Sequence, residues 1–332
     1  MFPEAHQSIP LKVINDPLLL EKQLSLSILR TDQTDPVISG NKWFKLKHNF
    51  IAAKNQGYQT LLSFGGPYSN HIHALATAGK TYGFNTIGII RGEQHLPLNP
   101  TLADVVAQGM KLYYVDRQTY RNKHTPEVIK QLGDMITNDA PFSNKQKPKK
   151  TDFKPPEQFY LVPEGGTNEL AVKGAAEIAA FIPAHTDFVC VPVGTGGTVA
   201  GIITGLAQAC QQQTRVLGFA AMKGGEFLEQ AIHTLLDRQK ALTRQPEWQL
   251  FYDYHFGGFG KVTQSLAFFI QDFEKKYALE LEPIYTAKMM YAIVELIKQD
   301  YFPKGSQIVA IHTGGLQGKR GMQEKLDSLL SV

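Results

Sequence analysis

Residues 187–222 have the sequence DFVCVPVGTGGTVAGIITGLAQACQQQTRVLGFAAM. The segment begins with an apolar run of strand length, passes through a glycine-rich turn into a helical pattern, and ends in a second apolar run. Two buried strands joined by a helix are typical of a βαβ unit, in which the strands are parallel. The stretch therefore predicts an α/β fold built on a mostly parallel sheet.

The same alternation of strand and helix patterns extends in both directions from this unit. A polar, proline-containing segment, 142–157, separates the patterns into two sets. A chain of 332 residues is also long enough for two lobes that share a cleft. The further strand patterns lie at 59–66, 85–92, 111–115, 159–166 and 306–315. Several of them end in glycine pairs, and ligands bind beyond the carboxyl ends of strands in open α/β sheets.

The composition excludes several classes of protein. With 43% hydrophobic and 19% charged residues, the chain is neither intrinsically disordered nor a coiled coil. A net charge of +4 without a basic, aromatic stripe favours a small-molecule partner over nucleic acid. We find no membrane span and no signal peptide, and so predict a cytoplasmic protein. Cys190, in a predicted strand, and Cys210, in a predicted helix, have no metal-type spacing and are interpreted as reduced packing residues.

The glycine-rich turn is a candidate phosphate site. It combines Gly194, Gly196 and Gly197 with Thr195 and Thr198, between a strand and the start of a helix. Glycines allow backbone N–H groups to converge on an anion, and the helix N-terminus adds partial positive charge. The spacing fits neither G-x-G-x-x-G nor a P-loop, so a monophosphate is the better match. The alternative is a glycine-rich turn required only for backbone geometry.

A second candidate segment is SGNKWFKLKHN, residues 39–49. Lysine is the residue that forms a Schiff base with carbonyl cofactors, and it does so when partial burial lowers its pKa toward neutrality. Lys42 follows Gly40 and Asn41 at the start of a helical pattern, and Lys45 lies three positions on. Spacing alone does not choose between the two lysines.

The third segment is SFGGPYSNHIHALA, residues 63–76. Ser69 and Asn70 stand between a glycine-ended strand and a helix, where they could simply cap the helix. Beside a cofactor ring, Asn70 could instead hydrogen-bond a phenolic oxygen and Ser69 could receive a substrate carboxylate. His71 and His73 have no third ligand near them, and we expect no metal.

Together these segments resemble one branch of the fold-type II pyridoxal-phosphate enzymes, which contains D-cysteine desulfhydrase and 1-aminocyclopropane-1-carboxylate (ACC) deaminase. The resemblance covers nearly the whole chain. The family's G-G-N-K-x-x-K-L segment matches residues 39–46, where the lysine after Asn binds the cofactor, and this selects Lys42 over Lys45. The family's glycine loop and its P-x-G-G-S/T-N segment match residues 194–198 and 163–168.

Two further segments of the family match with substitutions. G-x-x-Q-S-N-H corresponds to residues 65–71, with Tyr68 where Gln is usual. P-V-Y-x-G-K-x-M corresponds to PIYTAKMM at 283–290, with Ala287 in place of Gly.

The resemblance implies two open, twisted, mostly parallel-sheet domains with pyridoxal 5′-phosphate in the cleft between them. The smaller domain would span 46–157 and carry the Ser69–Asn70 loop, and the larger, cofactor-binding domain would span 1–45 plus 158–332. A homodimer is expected on the same ground. Cofactor contacts are implied for Lys42, Asn70, Gly194, Thr195, Gly196, Gly197, Thr198, Tyr285 and Thr313. Catalytic roles are implied for Lys42, Ser69 and Tyr285, and substrate contacts for Ser69, Asn70, His71 and Thr286.

The activity implied by the resemblance is a lyase that eliminates sulfide from D-cysteine. The alternative within the family is ACC deaminase. That subgroup has Glu after the ring tyrosine and Leu at the position matching Thr313, whereas this chain has Thr286 and Thr313. Two readings from other classes also stay open: a cofactor-binding protein without turnover, and a nucleotide-binding module.

Overall fold

The computed structural model describes residues 8–35, 38, 40–138, 159–239 and 244–331. Ser39 of the lysine segment and the polar segment 142–157 lie outside this part of the chain. Contacts divide the chain into one unit at Phe50–Gly165 and another formed by Pro3–Asn49 and Gly166–Val332. The domain boundaries at 46 and 157 stay a prediction.

The structure alternates strands and helices in chain order. The strands are β1 (Leu11–Ile14), β2 (Ser25–Leu29), β3 (Thr60–Gly65), β4 (Asn85–Arg91), β5 (Lys111–Val115), β6 (Tyr160–Leu161), β7 (Phe188–Val193), β8 (Arg215–Ala220), β9 (Trp248–Phe251) and β10 (Gln307–Ile311). The α-helices are α1 (Pro17–Lys22), α2 (Asn41–Asn55), α3 (Asn70–Tyr82), α4 (Pro100–Ala107), α5 (Arg117–Arg121), α6 (Pro126–Asn138), α7 (Glu169–Ala176), α8 (Gly197–Gln208), α9 (Phe227–Asp237), α10 (Gln264–Tyr277), α11 (Thr286–Lys298) and α12 (Gln323–Leu330).

Each unit contains one sheet. In the unit Phe50–Gly165 the strand order is β5-β4-β3-β6, with all pairs parallel. In the other unit the order is β1-β2-β10-β7-β8-β9, where β1 and β2 pair antiparallel and the remaining pairs are parallel. The prediction of an α/β fold with mostly parallel sheets is confirmed.

The sheet order places two glycine-containing segments at the same edge. Strands β7 and β10 are parallel neighbours, with Ile308 opposite Phe188 and Ala310 opposite Cys190. Parallel neighbours direct their carboxyl ends to the same side of the sheet. The loop Gly194–Thr198 after β7 and the segment 312–315 after β10 therefore lie at one edge.

Close packing between α7 and α8 fixes the helix that follows the glycine loop Gly194–Thr198. Helix α8 is buried on all sides, and its glycines lie against α7. A Cβ on Gly201 would lie 2.3 Å from Ala175 Cβ, and one on Gly205 would lie 2.2 Å from the carbonyl oxygen of Ala176. The glycines therefore let α7 and α8 approach closely, which holds α8 in place behind the loop.

The cores of the two units are separate clusters of apolar side chains. In the smaller unit Leu62, Phe64, Ile87 and Ile89 of the sheet pack with Leu132 of α6. In the other unit side chains of β2, β7, β8 and β10 pack with α10 and α11. None of the described helices has both the length and the apolar character that crossing a membrane requires.

Three sequence interpretations need correction. Residues 159–166 give only the two-residue strand β6, and Glu164–Gly166 form a short 3-10 turn in which Gly165 (φ 66°) and Gly166 (φ 68°) have a left-handed backbone. Cys210 lies beyond the end of α8, also with positive φ (57°), and not in a helix. The short strands β1, β2 and β9 were not predicted, since partly exposed strands of four or five residues carry little apolar signal.

Candidate active site

The helix that carries Lys42 begins directly against the segment after β10. Gly40 has φ +73°, and a Cβ at this position would lie 2.1 Å from the carbonyl oxygen of Thr313. The N–H of Asn41 donates to the same carbonyl at 3.2 Å. Only glycine permits this approach. The first turn of α2 is therefore fixed next to Thr313.

Lys42 is connected by hydrogen bonds to the glycine loop. Its Nζ donates to Asn41 Oδ1 at 2.9 Å, and Asn41 Nδ2 donates to Thr198 Oγ1 at 2.8 Å. Burial lowers the pKa of Lys42 to about 8, and the carboxylate of Glu282 opposes this shift. An amine with such a pKa is partly unprotonated near neutral pH, which is the form that attacks a carbonyl.

The glycine loop has the geometry of an anion site. Gly196 has φ +80° and precedes α8, whose N-terminus has no side-chain cap. The first N–H groups of a helix lack intrahelical partners and attract negative charge. A Cβ on Gly194 would lie 3.0 Å from Tyr285 Cε1, so the tyrosine ring lies directly against the loop.

A second buried lysine lies on the same loop. Lys45 is 2% exposed, and its Nζ donates to Thr167 Oγ1 at 2.8 Å and to Thr195 Oγ1 at 3.4 Å. Burial, followed by the charge of Lys42, holds the pKa of Lys45 well below its usual value. Within the part of the chain that the structure describes, neither lysine pairs with a carboxylate at ion-pair distance. Two buried amines beside open helix N–H groups fit a phosphate group, whose charge would compensate theirs.

The other predicted site residues of this unit are Tyr285, Thr286 and Thr313, and each has its own contacts. Tyr285 directly precedes α11, and its ring meets that of Phe259 edge to face. The hydroxyl of Thr286 is buried, accepting the N–H of Glu282 at 2.7 Å and donating to its carbonyl oxygen at 3.0 Å. The structure thus gives Thr286 a role in the turn, and its contact with substrate stays a prediction. Thr313 is buried at the carboxyl end of β10.

Three predicted residues belong to the other unit. Ser69 is the N-cap of α3, and its Oγ accepts the N–H of Ile72 at 3.2 Å. Asn70 is the first residue of that helix. His71 is buried and shares a 2.8 Å hydrogen bond with Ser63 Oγ, so its ring packs inside the unit. Among the described residues, no three His, Cys, Asp or Glu side chains gather as metal ligands would.

The site contains residues that the sequence analysis did not assign. Asn41 and Thr167 belong to segments that were recognised, but neither was given a role. The resemblance gives no role to Lys45, although a position three residues from Lys42 on a helix shares its face. Glu282 lies directly before the recognised segment PIYTAKMM at 283–290 and gave no signal of its own in the sequence.

Comparison with known proteins agrees with this geometry. A family model described as pyridoxal-phosphate dependent enzyme matches residues 28–314. The chain belongs to this family. The family match supports an enzyme of pyridoxal-phosphate type over the two alternatives left open, a cofactor-binding protein without turnover and a nucleotide-binding module. It also confirms the predicted cofactor.

This pyridoxal-phosphate-dependent enzyme is similar to proteins named for both activities. It is 28% identical to the bifunctional D-cysteine desulfhydrase/ACC deaminase of Arabidopsis thaliana, named as mitochondrial, over 100% of this chain and 81% of the relative. It is 27% identical to the D-cysteine desulfhydrase of Yersinia enterocolitica, over 87% of this chain and 86% of the relative. The crystal structure of an ACC deaminase homologue matches with a TM-score of 0.79 and 26% identity, over 99% of this chain and 95% of that one. The predicted membership of this branch is confirmed.

Proposed function

We propose that Lys42 binds pyridoxal phosphate covalently and that the phosphate lies on the N–H groups of Gly194–Thr198. The observation that carries this proposal is the hydrogen-bonded connection from Lys42 through Asn41 to Thr198. It joins an amine of lowered pKa to the N-terminus of α8, which has no side-chain cap. Both features are needed for a cofactor that has a carbonyl carbon at one end and a phosphate at the other.

Other side chains would complete the cofactor site. Lys45, with the hydroxyls of Thr167 and Thr195, lies where it can donate to the phosphate. The ring of Tyr285 lies beside the loop, where it can pack against the pyridine ring. Thr313 would contact the pyridine nitrogen, and a hydroxyl there, unlike a carboxylate, leaves that nitrogen largely unprotonated.

The assignments in the other unit derive from the resemblance. Asn70 would contact the 3′-oxygen of the cofactor, and Ser69 would contact the substrate and take part in catalysis. His71 would lie on the substrate side, although its buried hydrogen bond to Ser63 favours a packing role.

The reaction we propose is the α,β-elimination of D-cysteine, or a related β-substituted D-amino acid. D-Cysteine and water give pyruvate, ammonia and hydrogen sulfide. When bound, pyridoxal phosphate supplies an electron-withdrawing group that stabilises negative charge at the substrate α-carbon. Lys42 Nζ takes the α-proton, since a pKa of about 8 makes the amine an effective base near neutral pH. Departure of the β-thiol needs no further nucleophile.

ACC deamination to 2-oxobutyrate and ammonia is the second candidate function. It is supported by the names of the Arabidopsis relative and of the crystal structure that matches this chain. ACC has no α-proton, so its ring must open by another route. Against it stands Thr286, whose position carries Glu in the ACC deaminase subgroup and whose buried hydroxyl is bonded within its own turn.

Borohydride trapping tests the cofactor assignment. We expect the purified enzyme with pyridoxal phosphate to absorb near the visible edge, and reduction to remove this band and add the cofactor mass to the peptide containing Lys42. Lys42→Ala should abolish both the band and turnover. Lys47→Ala is the matched control, because Lys47 lies on the same helix and pairs with Glu177 at 2.8 Å. Trapping on any other lysine would refute the assignment.

We also propose that the enzyme forms a homodimer, which rests on the family resemblance alone. A subunit of 36.9 kDa should then give about twice that mass by light scattering. A monomer mass at micromolar concentration would refute this.

A further inference from the structure

Lys288 is a buried lysine in the first turn of α11. It is 2% exposed, and its Nζ donates to three backbone carbonyls, those of Ala221 (3.1 Å), His255 (2.9 Å) and Gly258 (2.9 Å). Three acceptors require three hydrogens, which an ammonium has and a neutral amine lacks. Burial lowers the pKa of Lys288 to about 8 while the charge of Glu282 opposes the shift, so the amine is mostly charged at pH 7.

The three carbonyls form a site for a monovalent cation. Backbone carbonyl oxygens that converge on one point bind potassium by replacing the hydration shell of the ion. Here the three oxygens lie 2.9–3.1 Å from one nitrogen, and without a positive charge between them their partial negative charges would repel one another. The Lys288 ammonium therefore occupies this site as a cation that the chain itself supplies.

Two of the three carbonyls belong to loop 253–260, which follows β9 and has an unusual backbone. Four of its residues have positive φ: Phe256 (54°), Gly257 (91°), Gly258 (129°) and Gly260 (69°). A left-handed backbone is unfavourable for Phe256, because it has a Cβ. Such a conformation persists only when the surrounding structure holds it. The ammonium of Lys288 provides two hydrogen bonds that hold this loop.

Loop 253–260 contacts the candidate active site through Phe259. The ring of Phe259 meets that of Tyr285 edge to face, with 5.8 Å between the ring centroids. Tyr285 in turn lies against the glycine loop, since a Cβ on Gly194 would lie 3.0 Å from its Cε1. Lys288 stands three residues after Tyr285. It therefore joins the start of α11 to the loop that packs on Tyr285.

The third carbonyl connects the ammonium to the other side of the glycine loop. Ala221 follows β8, and its N–H donates to the carbonyl of Val193 at 3.0 Å. Val193 is the last residue of β7 and directly precedes Gly194. One ammonium thus connects α11, loop 253–260 and the strand end from which the glycine loop begins.

We propose that Lys288 is a positioning residue of the candidate active site, whose ammonium acts as a built-in monovalent cation and holds Tyr285 and Phe259 beside the glycine loop. The proposal rests on the proposed cofactor site at Gly194–Thr198. It assigns to Lys288 no contact with cofactor or substrate. Its consequence is that a chain without this amine depends on a cation from solution.

The test replaces the ammonium by potassium. Lys288→Ala opens space among the three carbonyls, and the full-length, cofactor-free chain is measured in about 0.1 M potassium chloride or in tetramethylammonium chloride of equal ionic strength. In the tetramethylammonium salt, amide hydrogen exchange in loop 253–260 should be at least about tenfold faster than in the wild type. The dissociation constant for pyridoxal phosphate should be at least about tenfold higher.

Potassium should return both quantities to within about threefold of the wild-type values, because the ion fits where the ammonium was. The wild type should give equal values in the two salts. Equal values in the two salts for Lys288→Ala would overturn the role of the ammonium as a cation.

Lys298→Ala is the matched control on the same helix. Its side chain is 55% exposed and pairs with Glu295 at 2.8 Å, so loop exchange and cofactor affinity should stay within about twofold of the wild type in both salts. An equal loss of affinity in this variant would contradict a specific role for Lys288.

Lys288→Met keeps the inference testable if Lys288→Ala does not fold. Met fills most of the same space with an unbranched apolar chain that has no N–H donor. Cofactor affinity should fall at least about tenfold in both salts, since no room is left for potassium. An affinity within about twofold of the wild type would overturn the proposal.

Borohydride trapping distinguishes the two levels of argument. Trapping on a lysine other than Lys42 would refute the proposed function. Trapping on Lys42 with unchanged cofactor affinity in the Lys288 variants would refute only the role of Lys288. Faster exchange of loop 253–260 with unchanged affinity would lead to the same conclusion, because the loop would then not serve the cofactor site.

Discussion

At the scale of single residues, the candidate site is dominated by buried amines. Lys42 and Lys45 lie one helical turn apart, and both are removed from water. Burial lowers the pKa values of both amines, and the charge of Lys42 lowers that of Lys45 further. Such an arrangement costs stability in the chain without cofactor, because a charged amine loses hydration on burial. We propose that this cost serves function, since the same burial would prepare Lys42 to act as nucleophile and base.

This cost gives a pH-dependent prediction. The pKa of Lys42 is about 8 in the folded chain and 10.5 in its unshifted state, so the unfolded chain binds more protons between these values and wild-type stability rises with pH there. Lys42→Met removes the amine. The cofactor-free variant should be more stable than the wild type by about 1–3 kcal/mol below pH 8, and the gain should disappear toward pH 10.5.

Urea unfolding of the cofactor-free chains at pH 7, 8.5 and 10 measures the effect. Lys47→Met is the control on the same helix, and it should lose the ion pair with Glu177 without following this trend. A gain for Lys42→Met that grows as pH rises would contradict the sign of the shift.

At the scale of elements, the glycine loop is determined by its neighbours as much as by its own sequence. Gly194 leaves room for Tyr285, and Gly197 leaves room for Thr167 and the Lys45 ammonium. Gly196 has a positive φ that directs the chain from β7 into α8. Each of the three positions therefore requires glycine for a different steric reason. The N-terminus of α8 also has no side-chain cap.

Gly196→Ala should weaken cofactor binding. Residue 196 has φ +80°, and an added Cβ would lie 2.7 Å from Ile232 Cγ1. The loop must therefore shift away from the geometry in which its N–H groups would bind the phosphate. We expect the dissociation constant for pyridoxal phosphate to rise at least about tenfold, equivalent to ~1.4 kcal/mol. Fluorescence titration of the cofactor-free chain measures this.

Gly57→Ala separates backbone strain from the effect on the loop. Gly57 has nearly the same φ, +79°, with open space around its Cβ position. Its replacement should cost about 1–2 kcal/mol of unfolding free energy and leave the cofactor affinity unchanged. Equal affinities in the two variants would show that the loop does not bind the phosphate.

At the scale of the whole molecule, substrate choice depends on how the site removes a proton. A D-amino acid with a β leaving group presents an α-proton to Lys42, whereas ACC requires its ring to open without one. The structure adds that position 286 presents no free polar group, because the Thr286 hydroxyl is bonded to Glu282. The proposed elimination, unlike ring opening, therefore requires no polar group from position 286.

We therefore expect D-cysteine, or β-chloro-D-alanine, to yield pyruvate with kcat/KM at least about tenfold above that for ACC, a difference of ~1.4 kcal/mol in transition-state stabilisation. Assays of the purified enzyme with D-cysteine, L-cysteine and ACC would follow pyruvate, sulfide and 2-oxobutyrate. ACC turnover equal to or above that of D-cysteine would make deamination the leading function.

The sequence by itself determined the fold class and the family. Apolar runs alternating with helical patterns predict parallel βα units because buried strands must be apolar along their whole length. The segments around Lys42, the glycine loop and Tyr285 carry the family resemblance because each fills a local role that few residue types can fill. Short, half-exposed strands such as β1 and β9 gave no such signal, since their alternation covers too few residues.

Tertiary structure alone decided which side chains act on one another. Nothing in the spacing shows that the Lys45 ammonium meets Thr167, which is 122 positions away, or that the Asn41 amide donates to Thr198 across 157 positions. Nor does it show that the Thr286 hydroxyl is already used within its turn. Charge, burial and hydrogen bonding depend on distances in space, and parallel strands with crossover helices bring distant parts of a chain to one sheet edge.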